Sequence, residues 1–185
     1  MPILLQTNNH KNPPCPLYLR NADVKQQTGF ALPRKNNVRV FIDKKYFYIA
    51  PLQANDSASF HKIHQYCFVP AWEKRAFDNF LIDHSIFGYK ASLIGQPDQI
   101  VGFCLCRLIL DEAEIITIAV HPHFRRQGIG TLLIDSTLRH LRHERAIKLF
   151  LEVEETNLSA LNLYQRFQFQ KIAKRPAYYP SKTVA

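Results

Sequence analysis

This sequence predicts a mixed α/β domain, in the order strand, two helices, antiparallel meander, helix, strand, helix, strand, and three observations carry the prediction. Apolar, β-rich runs recur along the chain: YFYIAPL, YKASLIG, QIVGFCLCRLIL, AEIITIAV and AIKLFLEV. Between them stand segments whose apolar residues return at helical spacing, the mark of a helix with one buried face. The length, 185 residues, is that of one domain, and a composition 46% hydrophobic and 12% aromatic can fill a single core.

Taken in order, the first strand covers Tyr46 to Leu52. Asp56 then caps a helix that carries Phe60, Ile63 and Cys67, and a shorter helix from Glu73 to Asp83 follows the FVPAW loop. YKASLIG and QIVGFCLCRLIL form a hairpin with its turn signalled by QPD, and AEIITIAV completes the meander after a turn at Asp111-Glu112. From Gly128 to Glu144 the residues Ile129, Leu132, Leu133, Leu138 and Leu141 keep helical spacing, with Arg139, Arg142 and Arg145 elsewhere on the cylinder. AIKLFLEV has the nearly continuous apolar character of a strand inside a sheet, and NLSALNLYQRF is a short helix opening at Thr156 or Asn157, both good caps.

The net charge of +9 is concentrated at one end. Residues 1–45 hold eight Lys/Arg against two Asp/Glu, and residues 46–185 hold sixteen against thirteen. The chain therefore divides into a basic, flexible N-terminal extension (1–45), able to touch anionic surfaces such as RNA, and a mildly basic folded domain (46–185). No direct nucleic-acid role is expected, because no aromatic-interleaved basic motif accompanies the charge. No run approaches the roughly 18 apolar residues of a membrane helix, and the first residues are too short an apolar stretch for a signal peptide, so a cytoplasmic protein is expected. Cys15, Cys67, Cys104 and Cys106 lack metal-binding spacing and are expected as reduced thiols, with Cys104 and Cys106 on one face of a strand.

The stretch AVHPHFRRQGIGTLL holds two of the chain's six glycines, Gly128 and Gly130, directly behind Arg125, Arg126 and Gln127. A strand ending at Val120, a glycine-bearing turn and a helix start through Ile129 and Thr131 aim backbone N–H groups at the positive end of a helix dipole, where anions bind. By itself the pattern is weak and reads first as an ordinary strand-to-helix turn. Downstream, LEVEETNLSALNLYQRFQF sets Glu152 at the end of a buried strand, Asn157 at a helix start and Tyr164 two turns further on.

Together these motifs resemble the acetyl-CoA-dependent N-acetyltransferases of the GNAT superfamily, most closely the ribosomal-protein alanine N-acetyltransferases of RimI type, over about residues 46–180. The resemblance implies a GNAT fold: a central, mostly antiparallel mixed sheet flanked by about four helices. It implies that the backbone of Ile118, Ala119 and Val120 pairs with pantetheine, that Arg125, Arg126, Gln127, Gly128, Ile129, Gly130 and Thr131 hold the pyrophosphate, and that Asn157 contacts the pantetheine arm. Glu152 then acts as general base toward the amine and Tyr164 as the acid that protonates the departing thiolate. No metal is required. The acceptor implied is a protein N-terminus, that of a ribosomal protein. A small-amine or lysine acetyltransferase and a CoA-binding domain without activity remain the alternatives.

The residues also allow plainer roles. Glu152 can be an exposed strand end, Tyr164 a core aromatic beside Leu161 and Phe167, Trp72 with Pro70 an anchor for the loop rather than a wall of the acceptor groove, and His121 and His123 surface residues. Two departures from the family pattern stand out. Gln168 occupies the position of a glycine that takes a left-handed conformation at the helix end. After AYYPSKTVA no further apolar strand follows, whereas relatives insert one between the fifth and sixth strands; either the acceptor side is left incomplete or another segment fills the gap, Val38 to Ile42 being one candidate.

Overall fold

In the computed structural model, which describes residues 2–8, 39–42 and 45–174, strands β1 (Pro2–Asn8) and β2 (Arg39–Ile42) precede β3 (Lys45–Pro51). Helices α1 (Ser57–Cys67) and α2 (Lys74–Ile82) follow, then the meander β4 (Ile86–Leu93), β5 (Gln96–Ile109) and β6 (Glu112–Val120). Helix α3 (Ile129–His143), β7 (Lys148–Glu154), α4 (Leu158–Arg166) and β8 (Gln170–Lys174) complete the order. Every element expected from residue 46 onward is present, and β1 and β2 are additional. The rest of the leader, Cys15 and the AYYP motif lie outside the described residues.

One sheet runs β2-β3-β4-β5-β6-β7-β1-β8. All its neighbours are antiparallel except β6 and β7, which run parallel. Strand alternation divides the core into two layers. On β5, Cys104 and Cys106 face α3, while Phe103 and Leu105 face α1 and α2. Ile129, Leu133, Ile134 and Leu141 of α3 pack into the first layer, with Leu149, Leu151 and Val153 of β7. Phe60, Ile63 and Phe77 fill the second, the Phe60 ring stacked on Phe103 at 4.3 Å between centroids.

The β4–β5 turn lies at Ile94 and Gly95, ahead of the QPD expected to form it. Leu93 pairs with Gln96 around Ile94 and Gly95, the glycine taking a left-handed φ of +84°. Pro97, Asp98 and Gln99 bulge from the ladder instead, because proline has no N–H to give it.

The candidate segment does not take the place of the missing strand. Residues 39–42 pair with β3 at the far edge, Ile42 opposite Lys45, because strands this close along the chain meet at little entropic cost. The place between β7 and β8 is taken by β1, from the opposite end of the chain. Its Ile3 and Leu5 are buried in the α3 layer, and the Thr7 hydroxyl donates to the Phe167 carbonyl at 3.3 Å.

Candidate active site

The site follows from how β6 and β7 are joined. Their parallel pairing begins at Glu112 with Lys148 and ends at Ile115 with Leu151. Beyond that point β6 pairs with β5 alone and β7 with β1 alone, so the two strands fork. A bulge sharpens the divergence: Cys106 pairs with Ile115 and Leu105 with Thr117, leaving Ile116 as the extra residue. The bulge also changes which side chains face which layer, since Ala113, Ile115, Ile118 and Val120 belong to the α3 layer and Ile116 and Ala119 to the α1 layer.

Past the bulge, the β6 edge at Ile118, Ala119 and Val120 has no strand beside it among the described residues, although the Val120 carbonyl is taken by the Arg125 and Cys67 side chains. The Thr117 hydroxyl on the same run is buried and has no hydrogen-bond partner. Such an edge fits a linear amide-containing chain such as pantetheine.

Beyond the β6 end, His121 opens a 3-10 turn, Pro122–Phe124, and its Nδ1 accepts from the His123 N–H at 3.3 Å. Helix α3 then starts at Gly128, whose φ of +79° is left-handed. No side chain caps this helix, so its first N–H groups face the space ahead of it. Arg126 has φ of +63°, an uncommon conformation for a residue with a Cβ, and its side chain is exposed. Gln127 donates to the His123 carbonyl at 3.3 Å. Gly130 serves packing: a Cβ there would stand 3.0 Å from Leu163 Cδ2 of α4.

Arg125 is turned back toward the sheet. Its Nε donates to the Val120 carbonyl at 3.1 Å and its guanidinium lies 3.4 Å from Cys67 Sγ, which itself donates to the same carbonyl at 3.4 Å. The last carbonyl of β6 is thereby tied to the end of α1. Sequence reading had no signal for this contact between residues 58 positions apart.

Glu152 is the first residue of β7 past the fork and is exposed. Asn157 caps α4, its side chain accepting from the Ala160 N–H at 3.1 Å. Tyr164, on that helix, is 4% exposed and packs against Phe169. Burial, with Cys104 and Cys106 nearby, raises its hydroxyl pKa, so the phenol keeps its proton at neutral pH. Gln168 holds the left-handed turn, φ +60°, that a glycine would take, and the Phe169 N–H closes on the Tyr164 carbonyl at 3.2 Å.

On the α1 side, His64 is sandwiched between Phe68 and Trp72, at 4.2 and 4.8 Å. Its Nδ1 accepts from the Trp72 N–H at 3.2 Å, and His61 Nδ1 is 2.8 Å from the Trp72 carbonyl. Trp72 therefore anchors the α1–α2 connection. Val69 beside it is 99% exposed.

The model of the acetyltransferase (GNAT) family matches residues 57–169. The chain belongs to this family. A GNAT relative, the ribosomal protein bS18-alanine N-acetyltransferase of Escherichia coli K12, is 28% identical over 133 residues, 72% of this chain and 87% of the relative. The same-named protein of Salmonella typhimurium is 34% identical over 84 residues, 45% of this chain, and the match spans only 57% of that protein's length. The crystal structure of the Escherichia coli ribosomal-protein-S18-alanine N-acetyltransferase superposes with a TM-score of 0.65 at 27% identity, covering 74% of this chain and 85% of that one. Membership in the GNAT family carries the enzyme class, N-acetyltransferase, and the forked mixed sheet is the fold the sequence motifs predict.

Proposed function

We propose that this chain transfers the acetyl group of acetyl-CoA to the α-amine of a protein N-terminus, that of a ribosomal protein, in the cytoplasm. The observation that carries the reading is the fork: a β6 edge with no strand beside it among the described residues on one arm, the Glu152 carboxylate at the root of the other, and the buried Tyr164 phenol on α4. The names of the relatives supply the acceptor class.

In this reading Ile118, Ala119 and Val120 align the pantetheine arm, with Asn157 beside it, and the run from Arg126 to Thr131 holds the pyrophosphate at the α3 N-terminus, while Arg125 braces the Val120 carbonyl. Acetyl-CoA supplies the activated acetyl group. The amine must be neutral to attack, and an N-terminal α-amine with a pKa of about 7.7–8.0 gives up its proton far more readily than a lysine at about 10.4. Glu152 takes that proton, directly or through water. As the carbon–nitrogen bond forms and the carbon–sulfur bond breaks, Tyr164 gives its proton to the sulfur. Burial makes Tyr164 a weaker acid, so its proton passes only as the carbon–sulfur bond breaks beside it, where the same desolvation also disfavours the free thiolate.

Peptide acetylation followed by mass spectrometry tests the reading. An Ala-initiated peptide gains one acetyl group at its α-amine, and Glu152→Gln and Tyr164→Phe each slow turnover by about 10²- to 10⁴-fold. Acetyl-CoA binding without transfer to any α-amine overturns it, and modification confined to lysine side chains replaces it with the side-chain reading.

A further inference from the structure

The strand that closes the sheet beside the fork comes from the beginning of the chain, and its register brings particular side chains to Glu152. Across the β1–β7 ladder Leu4 lies opposite Glu152, Pro2 opposite Glu154 and Gln6 opposite Phe150. Residues directly opposed in an antiparallel pair project to the same face with Cβ atoms about 4.5–5.5 Å apart. The alternation agrees: Ile3, Leu5 and Thr7 are buried toward the α3 layer at 4, 6 and 8% exposure, whereas Leu4 and Gln6 are half-buried. Leu151 and Val153 are likewise buried in that layer, and Glu152 between them is exposed on the other face.

Among the described residues, Glu152 thus has the fork toward β6 on one side and Leu4 on the other. An acyl donor laid along β6 occupies the first side. What enters to meet it passes the second.

We propose that β1 forms the acceptor-side wall of the active site and that Leu4 is a specificity-determining residue for the amine substrate. Leu4 presents an uncharged, apolar surface beside the carboxylate, which receives the aliphatic part of an acceptor while its amine reaches Glu152. A cation at position 4 repels the incoming ammonium and pairs with Glu152. The inference rests on the acetyl-transfer reading above.

Steady-state kinetics of the full chain with an Ala-initiated peptide tests it. Leu4→Lys raises the acceptor KM by about tenfold or more, the scale on which one apolar pocket contact discriminates, and leaves the acetyl-CoA KM within about twofold of the parent. Leu4→Met, which keeps length and apolar character, restores the parent value. Thermal melting checks each variant, and if Leu4→Lys does not fold, Leu4→Thr reads the same KM with a good strand former. An acceptor KM unchanged in a folded, non-conservative variant overturns the proposal and leaves the acetyl-transfer reading intact. No turnover by the parent chain on any N-terminal peptide overturns both.

Discussion

Gly130 of α3 lies beneath Leu163 of α4, so near that a methyl group on it would stand 3.0 Å from Leu163 Cδ2. Gly128, two residues earlier, meets a different demand, a left-handed φ of +79°. The two glycines of one motif therefore differ in what they tolerate. In Gly130→Ala the end of a half-buried leucine moves by a few tenths of an ångström, and the gain in helix propensity, up to about 1 kcal/mol, offsets the crowding. Stability stays within about 1 kcal/mol of the parent by chemical denaturation. Gly128→Ala loses about 1–2 kcal/mol to backbone strain, and calorimetric titration shows weaker acetyl-CoA binding.

Gln168 has a φ of +60° at the end of α4, where a Cβ crowds the following carbonyl. Gln168→Gly relieves the strain without disturbing the Phe169 N–H bond to Tyr164. Stability rises by about 1 kcal/mol and Tm by about 2–4 °C in a chain of this size. A fall in Tm would mean that the turn is not held left-handed in solution.

His64 is 2% exposed, and burial first, then the neighbouring His61, lowers its pKa from 6.5 to about 4. A histidine with a lowered folded-state pKa favours folding only while it is neutral in both states. The contribution is fully present above about pH 6.5 and is lost as pH falls from 6.5 to 4, on the order of 3 kcal/mol at 1.36 kcal/mol per unit. The stability advantage of the parent over His64→Phe accordingly narrows across that window. Fluorescence of Trp72, the chain's one tryptophan, reports it, since the indole stacks on His64 at 4.8 Å.

Lys90 of β4 donates to Asp56 at 2.7 Å and to the Gln53 side chain at 3.1 Å, while the other Asp56 oxygen accepts from the Gln53 N–H at 2.7 Å. Both charges are nearly buried, with side chains 10% and 6% exposed. Lys90→Met strands the Asp56 charge and costs about 3–5 kcal/mol in urea unfolding. Pairing it with Asp56→Leu recovers most of the loss, because two apolar groups replace the ion pair without leaving an orphan.

Asp56 shows how far sequence reading reached. Its position before Phe60, Ile63 and Cys67 placed the start of α1 correctly, but its carboxylate is committed to Gln53 and Lys90, a partner 34 positions away that no local pattern announces. The same division holds at the site. Spacing placed Gly128 at the start of α3, Glu152 near the end of β7, and Asn157 and Tyr164 on α4, because capping, periodicity and turn chemistry are local. Arg125 reads as a phosphate ligand from its motif alone, and only the fold shows its Nε on the Val120 carbonyl.

The sequence by itself determined the order of helices and strands from residue 46 onward and the positions of the residues proposed for acetyl transfer, since each is written in the spacing of near neighbours. Only the tertiary structure decided which strand closes the sheet beside Glu152. PILLQTN is too short to reveal its alternation against a basic leader, and β1 gains its place through burial of Ile3 and Leu5 beside β7, some 150 residues along the chain. Strand pairing at that separation is fixed by which edge offers matching ladder groups and a buried face, and neither exists until the rest of the sheet has formed.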